Sequence, residues 1–366
     1  VLGKTGDDGE PLRPSRILLR CCDTELPVRA RRLFGTPDDV RRSVPSSVSF
    51  LLAPSRPLEL DPTLHLPSHL AVTALRDYLV CPFRFYLNHV LRMEELADTK
   101  REMDAMDFGS LMHDVLARMA ADPGMRICQD AAKLHGFLNR QAEECARDRF
   151  GPHPPMRLEM QLDVVRERLG AAARAQAEQV AQGWEVLLWE QDLELTLDGF
   201  QIRGRVDRVD RHRVTGTVRI LDYKTSDDGK PPEELHLGTV RDDTPEHVRV
   251  LAGAKLRRWI DLQLPLYILM LSPRFGGDTC FEAGYFNLPR QTDDSGVRVW
   301  QGLSVGLLES ATTCARGILA AIRDRCFWPP TTRVHPDDFA GLFTAGIDRC
   351  VDGESFVRSM RQMEPR

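Results

Sequence analysis

The fold is decided by two short stretches, Gly204-Arg205-Val206-Asp207-Arg208-Val209-Asp210 and Ile220-Leu221-Asp222-Tyr223-Lys224-Thr225. Both read as short strands, and residues two apart in a strand share a face, which places Asp222 and Lys224 about 6–7 Å apart on one side. Asp207 precedes Asp222 by 15 residues, a separation that a hairpin brings into register. The sequence therefore predicts two carboxylates and one ammonium group close together on neighbouring strands.

This combination of groups is typical of a magnesium site that cuts phosphodiesters. Magnesium prefers oxygen ligands in octahedral geometry and keeps several waters. Asp207 and Asp222 supply two carboxylate oxygens in this interpretation, and the main-chain carbonyl of Tyr223 supplies a third. Lys224 then orients the attacking water and stabilises the negative charge that develops on the phosphorane. Taken alone, Asp222 and Lys224 are more often a surface ion pair, which contributes little to stability.

The charge of the chain is distributed unevenly. Its 366 residues, 42% of them hydrophobic, suffice for one large or two modest domains, and the net charge of −5 makes the whole molecule a poor general binder of nucleic acid. A local excess of basic residues accompanies the acidic ones, at Arg203, Arg205, Arg208, Arg211, Arg213, Arg219 and Lys224. These side chains fit a site that holds phosphates. Charge alone favours the simpler alternative, a strand pair with solvated arginines.

Cysteine usage and hydropathy predict the compartment. The nine cysteines are scattered without a Cys-x-x-Cys pair, which indicates reduced thiols and argues against a zinc site. No secretory signal opens the chain, and no apolar run approaches the roughly 20 residues that span a membrane. We therefore expect a cytoplasmic protein without a membrane partner. Because the sequence begins Val1-Leu2-Gly3-Lys4, we expect a trimmed chain or a piece of a longer protein.

The order of the predicted elements indicates the fold class. Residues 1–66 are rich in proline, arginine and serine and read as a linker or remnant, with a short strand at 17–19 and a helix near 37–43. Apolar spacing predicts helices from a cap at Ser68, from about 107, and at 130–148, 157–183, 259–272 and 304–325. Strands are predicted at 190–197, 199–211, 217–225, 279–287 and 297–302, with a two-residue turn at Asp198-Gly199 and a loop at 226–246. This order predicts an α/β fold with a mixed central β-sheet flanked by helices and an added helical N-terminal part.

Two further helices carry residues suited to such a site. His113 lies on a predicted helix, and a neutral imidazole is a common metal ligand, although a lone helix histidine is more often structural. Gly109, one turn earlier, allows another backbone or a DNA strand to approach closely. Gln263 and Tyr267 are four residues apart and share a helix face. Beside a metal site they are able to hydrogen-bond DNA; read alone, they are ordinary helix-surface residues.

Five segments, in order along the chain, resemble the RecB-type branch of the PD-(D/E)XK nuclease superfamily. They are Thr73-Ala74-Leu75-Arg76-Asp77-Tyr78 with Cys81-Pro82-Phe83-Arg84-Phe85-Tyr86, Gly109 to His113, Gly204 to Asp210, Asp222-Tyr223-Lys224-Thr225, and Gln263 to Tyr267. They span roughly residues 68–330, and the chain is similar to the C-terminal nuclease domains of AddB-like helicase–nuclease subunits. The stretch Gly9-Glu10-Pro11-Leu12-Arg13-Pro14-Ser15-Arg16 resembles the segment that joins such a nuclease to its helicase-like part.

The resemblance implies a restriction-endonuclease-like fold and assigns roles to individual residues. His113, Asp207 and Asp222 are expected to bind Mg²⁺, with Mn²⁺ as a substitute, and Lys224 is expected to act in catalysis with the two aspartates. Gln263 and Tyr267 are expected to contact DNA by the same resemblance, and the local excess of basic residues adds Arg205 and Arg208 to the predicted DNA contacts.

The resemblance also implies a biological setting. The expected activity is a deoxyribonuclease, an exonuclease on single-stranded or unwound DNA ends, working with a helicase domain or subunit in double-strand break repair. The expected organisation is a linker or helicase-like remnant at 1–66, a nuclease domain at 67–350 and a tail at 351–366.

One departure from the family concerns a metal cluster. Many relatives carry an iron–sulfur cluster held by four cysteines, one in the Cys-Pro-Phe segment and three near the C-terminus. Cys81 fills the first position and Cys350 is able to fill another, but Val351-Asp352-Gly353 follows where a Cys-x-x-Cys run is expected. Cys326 precedes the expected position and is interpreted as a packing residue. We therefore predict no iron–sulfur cluster.

Two other functions remain open. One is a catalytically idle module that binds DNA or braces a helicase; degenerate copies usually lose the lysine or an aspartate, whereas this chain keeps His113, Asp207, Asp222 and Lys224. The other is a metal-dependent enzyme for small phosphate esters, for which the long helical flanks and basic strands are less suited. No G-x-x-x-x-G-K-[ST] motif occurs, so no P-loop motor is expected in this chain.

Overall fold

The computed structural model describes residues 21–34, 66–94, 103–152, 154–226, 229–332, 334, 338–343, 346–354 and 357. The chain divides into two compact units, Val1–Leu51 and Leu52–Arg366. The described part of the first unit contains helix α1 (Leu26–Phe34). The strand predicted at 17–19 and the helix predicted near 37–43 lie outside the described residues.

The second unit contains the remaining elements. Its described strands are β1 (His69–Ala71), β2 (Trp184–Leu197), β3 (Phe200–His212), β4 (Val218–Lys224), β5 (Leu237–Thr239), β6 (Arg249–Ala252), β7 (Lys255–Trp259), β8 (Phe281–Asn287) and β9 (Gly296–Val299). Its described α-helices are α2 (Val72–Val80), α3 (Pro82–Phe85), α4 (Ala105–Ala121), α5 (Ala131–Phe150), α6 (Met156–Ala181), α7 (Pro232–His236), α8 (Gln263–Leu271), α9 (Val305–Arg323) and α10 (Ile347–Cys350).

The central sheet is mixed. Within the described residues it has six strands in the order β1-β3-β4-β8-β9, and β2 also pairs with β3. β1 runs parallel to β3 and β4 parallel to β8, whereas β2 with β3, β3 with β4, and β8 with β9 are antiparallel. A mixed sheet flanked by helices confirms the predicted α/β, restriction-endonuclease-like fold. A second, antiparallel sheet has the order β5-β7-β6.

The β2–β3 hairpin sets the register of the sheet. Asp198 and Gly199 have φ values of 49° and 86°, and Leu197 pairs with Phe200, which confirms the predicted two-residue turn. β2 begins at Trp184, six residues before the predicted start at 190, because its pairing with β3 continues as far as His212. The turn therefore fixes which residues of the two long strands face each other.

The central sheet separates two hydrophobic cores. On β4, Ile220 packs in a core with residues of α2, α8 and α9, whereas Leu221 and Tyr223 pack in the other core with α4, α5 and α6. Alternate residues of a strand point to opposite faces, so one strand contributes to both cores. The end of β4 is consequently accessible to helices from either side.

Three predicted boundaries are wrong because pairing between strands overrides local pattern. Ser68 does not cap a helix; its carbonyl accepts a hydrogen bond from Gln201 N at 2.9 Å, β1 follows, and α2 begins at Val72 after Ala71. The segment predicted as the start of a helix at 259 is the end of β7, and α8 begins at Gln263. The loop predicted at 226–246 contains α7 and β5.

Helix α9 is unusually apolar. Among the described residues, it alone has the length and composition that would suffice to cross a membrane. Seven of its side chains, among them Leu307, Ile318 and Ile322, are buried in the protein core. A core helix of a globular domain satisfies the same criteria, so this helix is accounted for by packing.

Candidate metal centre and active site

Three residues from three elements converge on one point. His113 of α4, Glu190 of β2 and Asp207 of β3 each offer a ligand atom, and these atoms all lie within 4.8 Å of one another. His113 Nδ1 lies 3.4 Å from Asp207 Oδ1, and the imidazole packs edge-on against the Tyr223 ring with centroids 5.4 Å apart. Burial acts to lower the pKa of His113, but the hydrogen bond and negative charge of Asp207, together with Asp222 and Glu190, outweigh burial and raise it.

Glu190 is the member of this group that sequence reasoning missed. Its neighbours Trp189 and Gln191 pair with Arg208 and Val206, so Glu190 lies across from Asp207. Counting back from the turn at Asp198-Gly199 gives the same register and would have identified Glu190 from the sequence. Its φ of 43° is in the left-handed region, which a residue with a side chain rarely adopts and which is concentrated at functional sites. Burial and the charge of Asp207 raise the pKa of its carboxyl.

Asp222 and Lys224 lie beside this group. Lys224 Nζ is 2.7 Å from Asp222 Oδ2, and Gln263 Nε2 donates to Asp222 Oδ1 at 2.9 Å. The backbone N–H of Tyr223 donates to Asp207 Oδ2 at 2.8 Å, so β4 orients the β3 carboxylate directly. Burial raises the pKa of Asp222, with the Lys224 ammonium opposing the shift and Asp207 adding to it. The predicted pair is therefore not a solvated surface ion pair.

The group of residues around Asp207 has more carboxylates than cationic side chains, which is typical of a metal centre. The comparison with known families is consistent with a metal-dependent enzyme. The family model of the PD-(D/E)XK nuclease superfamily matches residues 69–350. The chain belongs to this nuclease superfamily. None of the curated proteins compared with the chain matches it.

The donor set of the nuclease suits a divalent metal, which nucleases of this superfamily use. Carboxylate oxygens are the ligands that suit Mg²⁺ and Mn²⁺, whereas imidazole nitrogen is the ligand type typical of the softer transition metals. Glu190, Asp207 and Asp222 together carry up to three negative charges, against which the described residues of the site place the Lys224 ammonium, the His113 ring and the exposed Arg205 guanidinium beside Glu190. The predicted ligands His113 and Asp207 are brought together, Asp222 adjoins them, and Glu190 joins the group, whereas the Tyr223 carbonyl as a ligand stays a prediction.

Lys224 of the nuclease is held by an aromatic support. Its Nζ lies 4.9 Å from the centroid of the Tyr285 ring, and the Tyr285 hydroxyl is 2.7 Å from His236 Nε2. His236 Nδ1 is 2.9 Å from the Asp261 carbonyl oxygen, which only accepts, so Nδ1 carries the proton and the tyrosine donates to Nε2. Burial lowers the pKa of His236, which keeps this ring neutral. Burial also acts to lower the pKa of Lys224, but the charge and hydrogen bond of Asp222, together with the charges of Asp261 and Asp207, outweigh burial and raise it.

Gln263 and Tyr267 are buried, so the interpretation of these residues as ordinary helix-surface residues is wrong. Gln263 Nε2 donates to the Tyr267 hydroxyl at 3.3 Å, and this hydroxyl donates to the Arg205 carbonyl at 2.8 Å. Gly204 is required here because the Tyr267 ring leaves no room for a Cβ. The pair thus locks α8 onto β3 and orients Asp222; contact with DNA stays a prediction for both.

The two arginines predicted to contact DNA differ in position. Arg205 is exposed and forms ion pairs with Asp192 at 3.0 Å and Glu190 at 3.7 Å. Arg208 is fully buried, donating to Asp210 Oδ1 and to Gln176 Oε1 at 2.6 Å each. A side chain with no exposed surface does not reach DNA, so the prediction for Arg208 is wrong. β3 places neighbouring residues on different faces, and the local excess of basic residues did not reveal which face each takes.

The cysteines that were considered for an iron–sulfur cluster differ in burial and in hydrogen bonding. Cys81 is buried, and its Sγ accepts hydrogen bonds from Thr331 N at 3.2 Å and Arg84 Nη1 at 3.5 Å. Cys350 is buried and Cys326 is exposed. Since Cys326 is exposed, its interpretation as a buried packing residue is wrong. The lack of an iron–sulfur cluster stays a prediction.

Proposed function

We propose that this nuclease is a magnesium-dependent deoxyribonuclease that hydrolyses phosphodiester bonds. The observation that carries the proposal is the 2.7 Å contact between Lys224 Nζ and Asp222 Oδ2, directly beside the convergent His113, Glu190 and Asp207. A degenerate, idle copy has no reason to retain a half-buried lysine and three buried or half-buried carboxylates together, because burying charge is costly unless it serves a partner.

The residues that would hold the metal are His113, Glu190, Asp207 and Asp222. Mg²⁺ is the proposed ion, with Mn²⁺ as a substitute. When bound, a divalent cation lowers the pKa of water and offsets the negative charge of the phosphate under attack.

The other residues of the site position groups and protons. The Lys224 ammonium, held between Asp222 and the face of Tyr285, donates hydrogen bonds to the attacking water or to phosphate oxygens as negative charge develops there. Gln263 fixes one oxygen of Asp222, so the carboxylate has a set orientation before substrate arrives. Arg205, exposed beside Glu190, is suited to a phosphate of the bound strand.

The proposed setting follows from resemblance to RecB- and AddB-like nucleases. The substrate is single-stranded or unwound DNA, the activity is exonucleolytic, and a helicase domain or subunit supplies the strand during double-strand break repair in the cytoplasm. The order of the five matching segments supports this setting.

Cleavage of labelled DNA tests the proposal. Wild type is incubated with end-labelled linear and with circular single-stranded DNA in Mg²⁺ and in Mn²⁺, beside Lys224→Ala and the matched control Lys133→Ala, which alters an exposed lysine of α5. We expect linear DNA to be degraded by wild type and the control, circular DNA to resist, and Lys224→Ala to lose about 10³-fold in rate.

Other outcomes have defined meanings. Absence of cleavage in both metals, with DNA bound in a strongly salt-dependent manner, would favour the idle DNA-binding module. Cleavage of circular DNA would make the enzyme an endonuclease. Equal rates for Lys224→Ala and wild type would remove the lysine from catalysis.

A further inference from the structure

A cavity lies outside the metal centre. It has a volume of about 460 Å³ and lies between the end of α2, the small sheet, α9 and the segment around Trp328. Cavities of this size accept small molecules or single nucleotides. The mechanism proposed above uses none of its lining residues.

The interior of this cavity is apolar and partly aromatic. Tyr78, Val248, Ile318 and Trp328 line it. The indole of Trp328 packs edge-on against Phe83 with centroids 5.9 Å apart, which fixes its orientation. A fixed aromatic surface of this kind is suited to stacking with a nucleic-acid base of any sequence.

The rim of the cavity is cationic. Arg241 and Arg258 line it together with one carboxylate, Asp243. Arg258 lies directly opposite Arg249 in the β6–β7 register, and like charges in that position are unfavourable. Arg258 Nε donates to the main-chain carbonyl of Thr239 and Arg249 Nε to that of Thr244, both at 3.0 Å. Because a carbonyl carries no formal charge, these bonds do not neutralise the two arginines. Burial lowers the pKa of Arg258, Arg241 lowers it further, and Asp243 acts in the opposite sense. An anion at this rim would relieve the repulsion.

The cavity is close in sequence and space to the metal centre. Ile260 lines the cavity, and Gln263, three residues later, bonds Asp222. Three residues span at most about 11 Å, which is about three nucleotides at the ~3.4 Å rise of a stacked strand. Asp261, which lies between Ile260 and Gln263 in the sequence, forms an ion pair with Arg76 at 3.8 Å. Arg76 belongs to α2, the helix that also supplies Tyr78 to the cavity. One short strand is therefore able to reach both places.

We propose that this cavity binds one nucleotide of the single DNA strand that occupies the metal centre, with the base against Trp328 and Tyr78 and the phosphate on Arg241 and Arg258. The inference rests on the proposed nuclease function. Arginine suits this position because its planar group binds phosphate oxygens in pairs. The cavity would hold the strand a few nucleotides away from the cleaved bond and so keep the substrate attached between cuts.

Binding and cross-linking test the proposal in the Lys224→Ala background, in which DNA is expected to stay intact. The double variant Arg241→Gln/Arg258→Gln is compared with Arg140→Gln/Arg147→Gln, two exposed arginines of α5, by fluorescence anisotropy with an oligothymidylate. We expect the first double variant to bind about tenfold more weakly. The slope of log affinity against log salt should fall by about 1.4, for two lost phosphate contacts on a single strand. The control is expected to change neither quantity.

Cross-linking identifies the occupant. Oligonucleotides that carry one 5-iodouracil at successive positions are irradiated with the Lys224→Ala protein, and the adducts are mapped by mass spectrometry. We expect adducts on Trp328 or Tyr78 from one or two adjacent positions only. Three results would each overturn the proposal. One is that adducts form only on other residues, and another is that the arginine double variant binds with unchanged affinity. The third is that free 5-iodo-dUMP forms adducts but the oligonucleotides do not.

The two proposals fail separately. If wild type cleaves DNA while the arginine double variant binds like its parent, the cavity assignment is wrong and the nuclease function stands. If wild type does not cleave but oligonucleotides cross-link to Trp328, the nuclease function is wrong and the cavity assignment stands.

Discussion

Two clusters of buried charge lie on the same strands, and the protein neutralises them differently. In the first, Asp210 of β3 lies between two arginines, 2.6 Å from Arg208 Nε and 3.1 Å from Arg219 Nη2. Gln176 and Gln179 of α6 each accept one further guanidinium hydrogen bond, from Arg208 Nη1 at 2.6 Å and from Arg219 Nη2 at 2.7 Å. Two guanidinium groups thus face the one carboxylate, so no negative charge is left for a metal ion, and the cluster is a structural joint between the sheet and α6.

The second cluster lies three residues away along β3. Asp207, Glu190 and Asp222 are accompanied by the Lys224 ammonium, by His113 and, at the solvent side of Glu190, by the exposed Arg205. No arginine is paired with Asp207 or Asp222 among the residues that the structure describes. The comparison teaches that burial of charge does not by itself identify a functional site. What separates the second cluster is that its negative charge is left for a cation to complete.

The largest expected effect is on folding, at the first cluster. Asp210→Asn leaves two buried guanidinium groups without a counter-ion and should lower the free energy of unfolding by about 3–5 kcal/mol, as measured by urea denaturation. Asp192→Asn is the matched control because Asp192 is exposed and pairs with the exposed Arg205, so its effect should stay within about 0.5 kcal/mol. Equal effects of the two substitutions would show that the Asp210 cluster is no structural joint.

An intermediate effect is expected on metal binding, at the second cluster. Glu190→Gln keeps the size of the side chain but removes a carboxylate within 4.8 Å of His113 and Asp207. We expect Mn²⁺ affinity, measured by isothermal titration calorimetry, to fall by about 10–100-fold, with a urea midpoint in EDTA no lower than that of wild type. Unchanged Mn²⁺ affinity would exclude Glu190 from the metal site. Asp210→Asn serves as the control, and the fraction of it that folds should bind Mn²⁺ like wild type.

The smallest effect is the pH dependence of stability without metal. Burial, followed by Asp207, raises the pKa of Glu190 above its ordinary value of 4.5. A carboxyl with a raised folded pKa contributes stability that is present below the unfolded value and lost as pH rises through the folded pKa. In EDTA, wild type should therefore lose stability relative to Glu190→Gln as pH rises above 4.5, by at most about 1 kcal/mol since the side chain is partly exposed.

Addition of metal tests the direction of this pH dependence. Mg²⁺ at 100 times its dissociation constant should stabilise wild type by about 2.7 kcal/mol at pH 8, and the variant by less. A stability difference that grows toward acid pH would contradict the prediction.

The sequence predicted those parts of the site that depend on short-range spacing. Asp222 and Lys224 are two residues apart on one strand, and Gln263 and Tyr267 are four apart on one helix, so backbone geometry alone places each pair together. The hairpin turn at Asp198-Gly199 was predictable for the same reason. Glu190 was equally predictable from the register of that turn, but only by counting across both strands.

The rest depended on tertiary packing. Arg205 and Arg208 look alike in the sequence, yet one is exposed and the other lies at the interface with α6, because the partner helix comes from a distant part of the chain. The β5-β7-β6 sheet was not predicted, because its strands have only three to five residues and pair through contacts that local pattern does not contain. Its arginines and the cavity beside them became visible only with that sheet.

The sequence by itself determined the pair Asp222 and Lys224, the hairpin that carries Asp207, and the resemblance to a nuclease superfamily, because each depends on residues close together or on their order. Only the tertiary structure decided that Glu190 joins His113 and Asp207 and that Asp210 is neutralised by Arg208 and Arg219. The physical reason is that the charge balance of a buried group depends on everything that surrounds it in space. Those neighbours come from strands and helices far apart in the chain.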